Sequence, residues 1–389
     1  MGDIRPISKR ERSVLLKELR RKEIRDYLHS RLILLARQPG LDYRRDVFVD
    51  GFKIGTLEYI KEQHWRYRFI PTGKGAALFR ALVGEVDFNI AMKGHIKGKK
   101  INEIFEGDWA LVSAGNCTAV AVHGDKYSKV KDVFCRKVKP RKKTGIQELV
   151  IANKTYIEYL ERRAVKYIRS QDSDYVAFSG GKDSEVALYL AYKAGVNNAI
   201  YANTGMEFPE TERFVYNYAD FLGIELIELK PKQDFWSVAT EKGIPTKDSR
   251  WCTKALKLEG LKRFKGTMVD GSRKYESLAR MMRSSERKLG NLRVIYPIRD
   301  WLAVDIWTFI YARGLPYNPL YDMGYERIGC YMCPAMLNAE FHHVRDTHPR
   351  LYKKWYDYLQ SLGYTKEEII DGVWRWKEVP KKMRSMVQG

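Results

Sequence analysis

At 389 residues and 44% hydrophobic content the chain is long for one domain and rich enough for packed cores, so two or three folded domains are expected. No apolar run reaches the length of a signal peptide core or a spanning helix, which leaves the cytoplasm as the expected compartment and gives no membrane partner. A net charge of +22 creates a positive field that concentrates polyanions, and nucleic acid is the partner class it favours over a merely solvated basic surface.

Residues 8–37 carry apolar positions at helical spacing (Leu15, Leu16, Leu19, Ile24, Tyr27, Leu28) among many cations, which predicts an amphipathic helix, whole or broken, within a basic N-terminal region, 1–40. Residues 41–140 change texture to short alternating apolar segments punctuated by Gly, such as Val47 to Val49, Lys53 to Leu57, Trp65 to Ile70 and Trp109 to Val112, and read as a small mainly β domain. Within it Met92-Lys93-Gly94-His95-Ile96, Glu106-Gly107-Asp108 before an apolar run, and Thr118 to Val122 resemble a PUA domain, which implies a barrel and RNA binding. Further cations crowd Lys93–Lys100, Lys137–Lys143 and the Lys377–Arg384 tail. The stretch 137–145, basic and broken by Pro140 and Gly145, is the natural boundary. From 146 to 345 helical and apolar-run segments alternate, with strands expected at 174–178, 198–202, 224–229 and 267–270. That alternation predicts an α/β domain, an open parallel sheet with helices on both faces. Residues 346–389 read as a helical cap, with Leu351, Trp355 and Leu359 on one face, followed by the basic tail.

The segment Ser179-Gly180-Gly181-Lys182-Asp183-Ser184 follows the first strand of that domain and opens a helix. Helix N-termini present unpaired N–H groups and positive potential, so this junction suits a phosphate. Lys182 adds a charge, the Ser179 and Ser184 hydroxyls add donors, and Asp183 can orient a metal ion or a donor. The spacing does not match G-x-x-x-x-G-K-S/T, which excludes a Walker-type loop. With Asn203-Thr204-Gly205-Met206-Glu207-Phe208-Pro209 after the next strand, the segment resembles the PP-loop enzymes of the phosphoadenosine phosphosulfate (PAPS) reductase family. Further blocks agree in order: Arg250-Trp251-Cys252-Thr253-Lys254, Gly271 to Ser277 with Arg280, Tyr296 to Trp301, Asn318-Pro319-Leu320-Tyr321-Asp322, and Gly329-Cys330-Tyr331-Met332-Cys333-Pro334.

That resemblance implies a PP-loop (HUP-like) fold and an adenine nucleotide, ATP or a relative, held by Ser179 to Ser184, by Asn203, Thr204 and Gly205, and by Arg250, Arg273 and Arg280. Lys182, Asp183 and Ser184 then carry the catalysis, with Mg²⁺ sharing the neutralisation of pyrophosphate. Asn203 stands where the family usually has Asp, which removes a negative charge beside the nucleotide. Cys330 and Cys333 form a C-x-x-C suited to redox exchange, zinc or iron–sulfur ligation. Cys252 matches the position where iron–sulfur relatives bring adjacent cysteines to a 4Fe-4S cluster, but its neighbour here is Thr253, so three ligands are offered where a closed site uses four. A cluster with one open iron suits sulfur transfer, and the expected activity is ATP-dependent adenylation followed by sulfur transfer on RNA, such as tRNA, from a sulfur donor that the sequence does not name. Reduction of adenylyl sulfate or PAPS is the alternative, against which stands the lack of a cysteine after Cys333. A nucleotide-gated RNA-binding protein without turnover is the third reading. Five cysteines in so long a chain do not suggest a disulfide framework and suit a reducing interior, with Cys117 and Cys135 as small buried hydrophobes or, for either, a fourth metal ligand.

Overall fold

The computed structural model describes residues 3–38, 42–61, 64–84, 90–101, 105–123, 127–282 and 284–381. The Lys377–Arg384 tail is therefore covered only to Lys381. The chain divides into two compact units, Met1–Leu149 and Val150–Gly389.

The first unit is mainly β. Strand β1 (Ile4–Pro6) is followed by helices α1 (Lys9–Lys17) and α2 (Lys22–His29) and strand β2 (Ile33–Arg37), and an antiparallel sheet continues through β3 (Arg44–Val49), β4 (Phe52–Lys61) and β5 (Trp65–Pro71). The helix read over 8–37 is broken into two short helices, and its last part, Ile33–Arg37, is a strand instead. Ser8 and Glu11 form a capping box that starts α1, the buried Glu11 carboxylate also takes Arg5 and Tyr43, and α1 stops at Lys17, one residue before the C-cap, Glu18. Ile33 to Ala36 alternates buried and half-buried positions, Arg37 is exposed, and the strand pairs with β3. After α3 (Gly73–Val83), the short strands β6 (Ile90–Ala91) and β7 (Lys100–Ile101) flank β8 (Trp109–Ala114), β9 (Cys117–Val122) and β10 (Ser128–Phe134) in the order β6-β8-β9-β10-β7. Among the described residues these are two five-stranded sheets, and neither closes on itself as the expected barrel would. Cys117 and Cys135 form a disulfide, because Cys117 precedes Thr118 and Cys135 follows Phe134 in a hairpin where those two residues are opposite partners. They are neither free hydrophobes nor available as metal ligands, and the expectation of no disulfide fails at this pair.

In the second unit a long helix, α4 (Ile146–Arg169, entered from the first unit), leads to β11 (Tyr175–Ala177), α5 (Lys182–Ala194), β12 (Asn198–Ala202), α6 (Pro209–Leu222), β13 (Glu225–Leu229), α7 (Phe235–Lys242), α8 (Glu259–Leu261) and β14 (Gly266–Val269). Then follow α9 (Leu278–Met281), β15 (Glu286–Leu289), β16 (Leu292–Ile295), α10 (Ala303–Arg313), α11 (Asn338–Thr347), α12 (Pro349–Ser361) and α13 (Lys366–Asp371). The sheet order is β13-β12-β11-β14-β16-β15, parallel throughout except that β15 runs antiparallel to β16 across a two-residue turn at Gly290. The sheet is therefore mixed, where a purely parallel one was expected. Successive residues of β12 face opposite sides: Ala199 and Tyr201 enter a core with Val176, Val186 and Phe309, while Ile200 packs with Met268, Leu292 and Leu261. A further core gathers Phe208, Phe341, Trp355 and Trp374 beneath the C-terminal helices. The order of the strands reverses between β11 and β14, and in open α/β sheets the crevice beyond the carboxyl ends at such a reversal receives ligands.

Candidate nucleotide site and thiol centre

The Ser179–Ser184 loop leaves the carboxyl end of β11 at that reversal. The backbone N–H groups of Gly180, Gly181, Asp183 and Ser184 make no hydrogen bond among the described residues, while Lys182 N–H donates to the Tyr321 hydroxyl at 2.8 Å. The open donors form a cradle at the start of a 13-residue helix, with its dipole behind them. Gly180 has φ +73°, and a Cβ there would stand 2.9 Å from Thr211 Cγ2 and 3.0 Å from Val215 Cγ2, so the turn requires glycine. The Ser184 hydroxyl caps the loop from inside, within 2.8 Å of Gly181 O and 3.1 Å of Ser179 Oγ. Asp183 accepts from Lys182 Nζ at 2.7 Å and from Arg273 Nε at 2.5 Å. Burial alone would raise its carboxyl, but Arg273 and Lys182 outweigh burial and hold it down at about 2. Lys182 is thereby parked on Asp183, beside the cradle.

Asn203 leads the loop after β12. Its amide donates to Glu228 at 2.8 Å and its carbonyl accepts from Gly205 N–H at 3.0 Å, a local turn that shapes the loop. Thr204 donates through both its N–H and its hydroxyl to the buried Glu207 carboxylate, at 2.9 and 2.8 Å. Glu207 pairs with Cys330 in an isolated β-bridge, Tyr331 N–H donates to Met206 O at 2.9 Å, and Thr204 Oγ1 lies 3.7 Å from Cys330 Sγ. The second loop is thus zipped to the C-x-x-C segment. Cys252, at the start of a π-helical stretch (Thr253–Leu258), packs against the same core as Cys330 and Cys333. Desolvation and then the neighbouring Cys333 raise its thiol, while desolvation pushes Cys330 up to about 12. Lys257 stands between the groups: desolvation would lower its ammonium, but Cys330, Glu207, Cys333 and Cys252 together hold it above the ordinary lysine range. Among the described residues no set of three or more His, Cys, Asp or Glu side chains is spaced to hold a metal ion. Cys252, Cys330 and Cys333 share one neighbourhood beside Lys257, which gives it the donor chemistry of a soft-metal site without the geometry of one.

The three arginines differ. Arg273 is buried, bonded to Asp183 and to Trp301 O at 3.2 Å, and acts as a tie between the loop after β14 and the helix α5. Arg280 is ion-paired to Glu276, and Arg250 is exposed, its charge felt at Cys252. Several residues outside the expected set complete the site. Asn318, fully buried, donates to Gly180 O and Thr211 Oγ1, both at 3.1 Å, and so braces the glycine turn. A Cβ on Gly271 would come within 2.5 Å of Asp183 O, so the loop after β14 rides directly on the N-terminus of α5. Glu185, one turn behind the cradle, is fully buried with neither carboxyl oxygen hydrogen-bonded among the described residues, and burial followed by the charge of Asp183 pushes its carboxyl well above the usual range. Asn318 and Tyr321 had a sequence signal in the Asn318–Asp322 block; Glu185 and Lys257 had none.

Residues 174–336 match the phosphoadenosine phosphosulfate reductase domain. An uncharacterized protein of Methanocaldococcus jannaschii is 38% identical over 93% of this chain and 93% of its own length. A phosphoadenosine 5′-phosphosulfate reductase of Xanthomonas campestris pv. campestris is 31% identical over 39% of this chain and 67% of its own. Among solved structures, a PAPS reductase of Candida auris in complex with phosphate aligns with a TM-score of 0.37 at 21% identity, over 49% of this chain and 97% of that one. The chain belongs to the PAPS reductase family, with residues 174–336 as the matching domain.

Proposed function

We propose that the second unit binds ATP on the Ser179–Ser184 cradle, adenylates an RNA acceptor such as tRNA, and passes sulfur to it, while the mainly β first unit grips the RNA in the manner of PUA-like domains. The observation that carries this reading is the row of open N–H groups at Gly180, Gly181, Asp183 and Ser184, within the loop cluster that also leads to Cys252, Cys330 and Cys333. Those donors bind phosphate oxygens; Lys182, released from Asp183, follows the charge that builds on the departing pyrophosphate. An acceptor oxygen attacks the α-phosphate, pyrophosphate leaves, and a sulfur nucleophile then displaces AMP from the adenylated carbon. Asp183 is engaged by two cations, so Mg²⁺ would arrive on the nucleotide's own phosphates. Cys252, Cys330 and Cys333 carry the soft donors that an iron–sulfur cluster or zinc would use once drawn closer together, and such a group would supply a seat for the incoming sulfur.

The net charge of +22 favours an RNA acceptor over a small molecule. The test is pyrophosphate release from ATP with and without total tRNA, beside sulfite release from adenylyl sulfate with a thiol donor. RNA-dependent pyrophosphate supports the proposal. Sulfite release with no effect of RNA replaces it with sulfonucleotide reduction, and metal analysis of anaerobically purified protein decides the content of the thiol centre.

A further inference from the structure

The first unit contains a cavity of about 380 Å³ remote in sequence from every residue of the nucleotide site. Its lining is apolar at Ile4, Leu32, Leu34 and Phe48, which we take as the floor, and charged at Arg141 and Lys142, which we take as the rim, and at Asp50, whose carboxylate is neutralised by its ion pair with Arg31. The volume lies in the range of small-ligand sites and suits one nucleotide. The rim is held in place. Arg31 donates to the carbonyls of Arg141 at 2.8 Å and Lys142 at 3.0 Å, pairs with Asp50 at 3.1 Å, and stacks 3.9 Å above the Tyr27 ring. Tyr27 closes the arrangement by donating to Asp50 at 2.5 Å. Leu32 N–H fixes Thr144 O at 2.7 Å, which pins the same segment from its other end. While its backbone is fastened, its cations are not: Arg136, Lys137, Lys139, Arg141, Lys142 and Lys143 are all exposed, and none is joined to a carboxylate in an ion pair among the described residues.

We propose that this cavity seats one unstacked nucleotide of single-stranded RNA, its base against Leu32, Leu34 and Phe48 and its flanking phosphates on Arg141 and Lys142. The inference rests on the RNA reading above and adds to it where and in what form the RNA is held. The charge of the rim selects a polyanion, and the apolar floor selects against a stacked duplex, whose bases are turned inward. An acidic peptide would satisfy the cations without needing the floor. Thr144 also lines the cavity and brings a hydroxyl whose chemistry suits a base edge or a ribose hydroxyl.

The experiment uses the full chain and an oligoribonucleotide carrying 2-aminopurine, with duplex RNA of the same sequence and a poly-glutamate peptide as competitors. Wild type should bind the single strand with a fluorescence change and prefer it to duplex. Arg141→Ala with Lys142→Ala should weaken binding about 10-fold or more at 0.15 M salt and lower the log–log salt slope by about 2. Leu34→Trp, which fills the cavity, should abolish the fluorescence change while keeping most of the salt-dependent affinity, and circular dichroism checks that it folds. Unchanged affinity in the double variant, an unaltered signal in Leu34→Trp, or displacement by poly-glutamate as effective as by RNA would each overturn the cavity assignment. Failure of wild type to bind any RNA would also overturn the RNA reading, whereas binding that ignores these substitutions would leave that reading standing.

Discussion

Two carboxyl groups on the first turns of α5 illustrate how position sets chemistry. Asp183, two residues before Glu185, is held at about 2 against an ordinary 3.8, because Arg273 and Lys182 outweigh burial. A depressed carboxyl contributes stability that is present above pH 4 and is lost as the pH falls toward 2. The contribution is about 2 kcal/mol. Thermal melting of wild type against Asp183→Asn should therefore show a gap at pH 7 that narrows between pH 4 and pH 2; a constant gap would mean that the carboxylate is not held ionised. Glu185 has the opposite sign. Its folded carboxyl is raised, so the unfolded chain loses a proton first and the folded state is penalised as the pH rises above 4.5. Glu185→Gln, which keeps the shape and does not titrate, should melt higher than wild type at pH 7, with the difference vanishing below pH 4.5.

At the scale of elements, three connections converge on the N-terminus of α5: the glycine turn from β11, the loop after β14, and the Asn318–Tyr321 segment. Because Gly271 leaves 2.5 Å between an added Cβ and Asp183 O, Gly271→Ala must push the β14 loop and α5 apart. Binding of ATP, read by calorimetry, should fall by at least an order of magnitude, while Gly195→Ala, at the opposite end of the 13-residue α5 and with open space around it, should cost stability without that selective loss. The strand ends and glycine loops here were legible in the sequence because apolar runs of strand length end at Gly, Asn or Ser. The ties between them were not, since Asn318, Gly271 and Arg273 act across long sequence separations. Strand β15 left no trace either: Glu286-Arg287-Lys288 is a charged edge without apolar alternation, and only its pairing with β16 makes it a strand. Over 8–37 the helical spacing of Leu15 to Leu28 was real, but it could not show that Ile33 to Arg37 would find β3 as a partner.

For the whole molecule, the question is whether the proposed nucleotide chemistry and the proposed RNA recognition are separable. Each unit encloses its own core: Ile90, Val112, Ala119 and Val130 in the first, and Val176, Val186, Phe309 with the Trp355–Trp374 group in the second. Every residue of the cradle and every free cysteine belongs to the second unit, whereas the disulfide and the basic 137–143 stretch belong to the first. A unit with its own core can fold alone. Residues 146–389 expressed separately should therefore bind ATP within a few-fold of the full chain, yet release pyrophosphate at a rate that added tRNA no longer changes. The decisive comparison is the ratio of rates with and without RNA in the two proteins. Equal stimulation in both would assign RNA recognition to the second unit and remove the role proposed for the first, and loss of ATP binding in a folded fragment would mean that the cradle depends on the first unit.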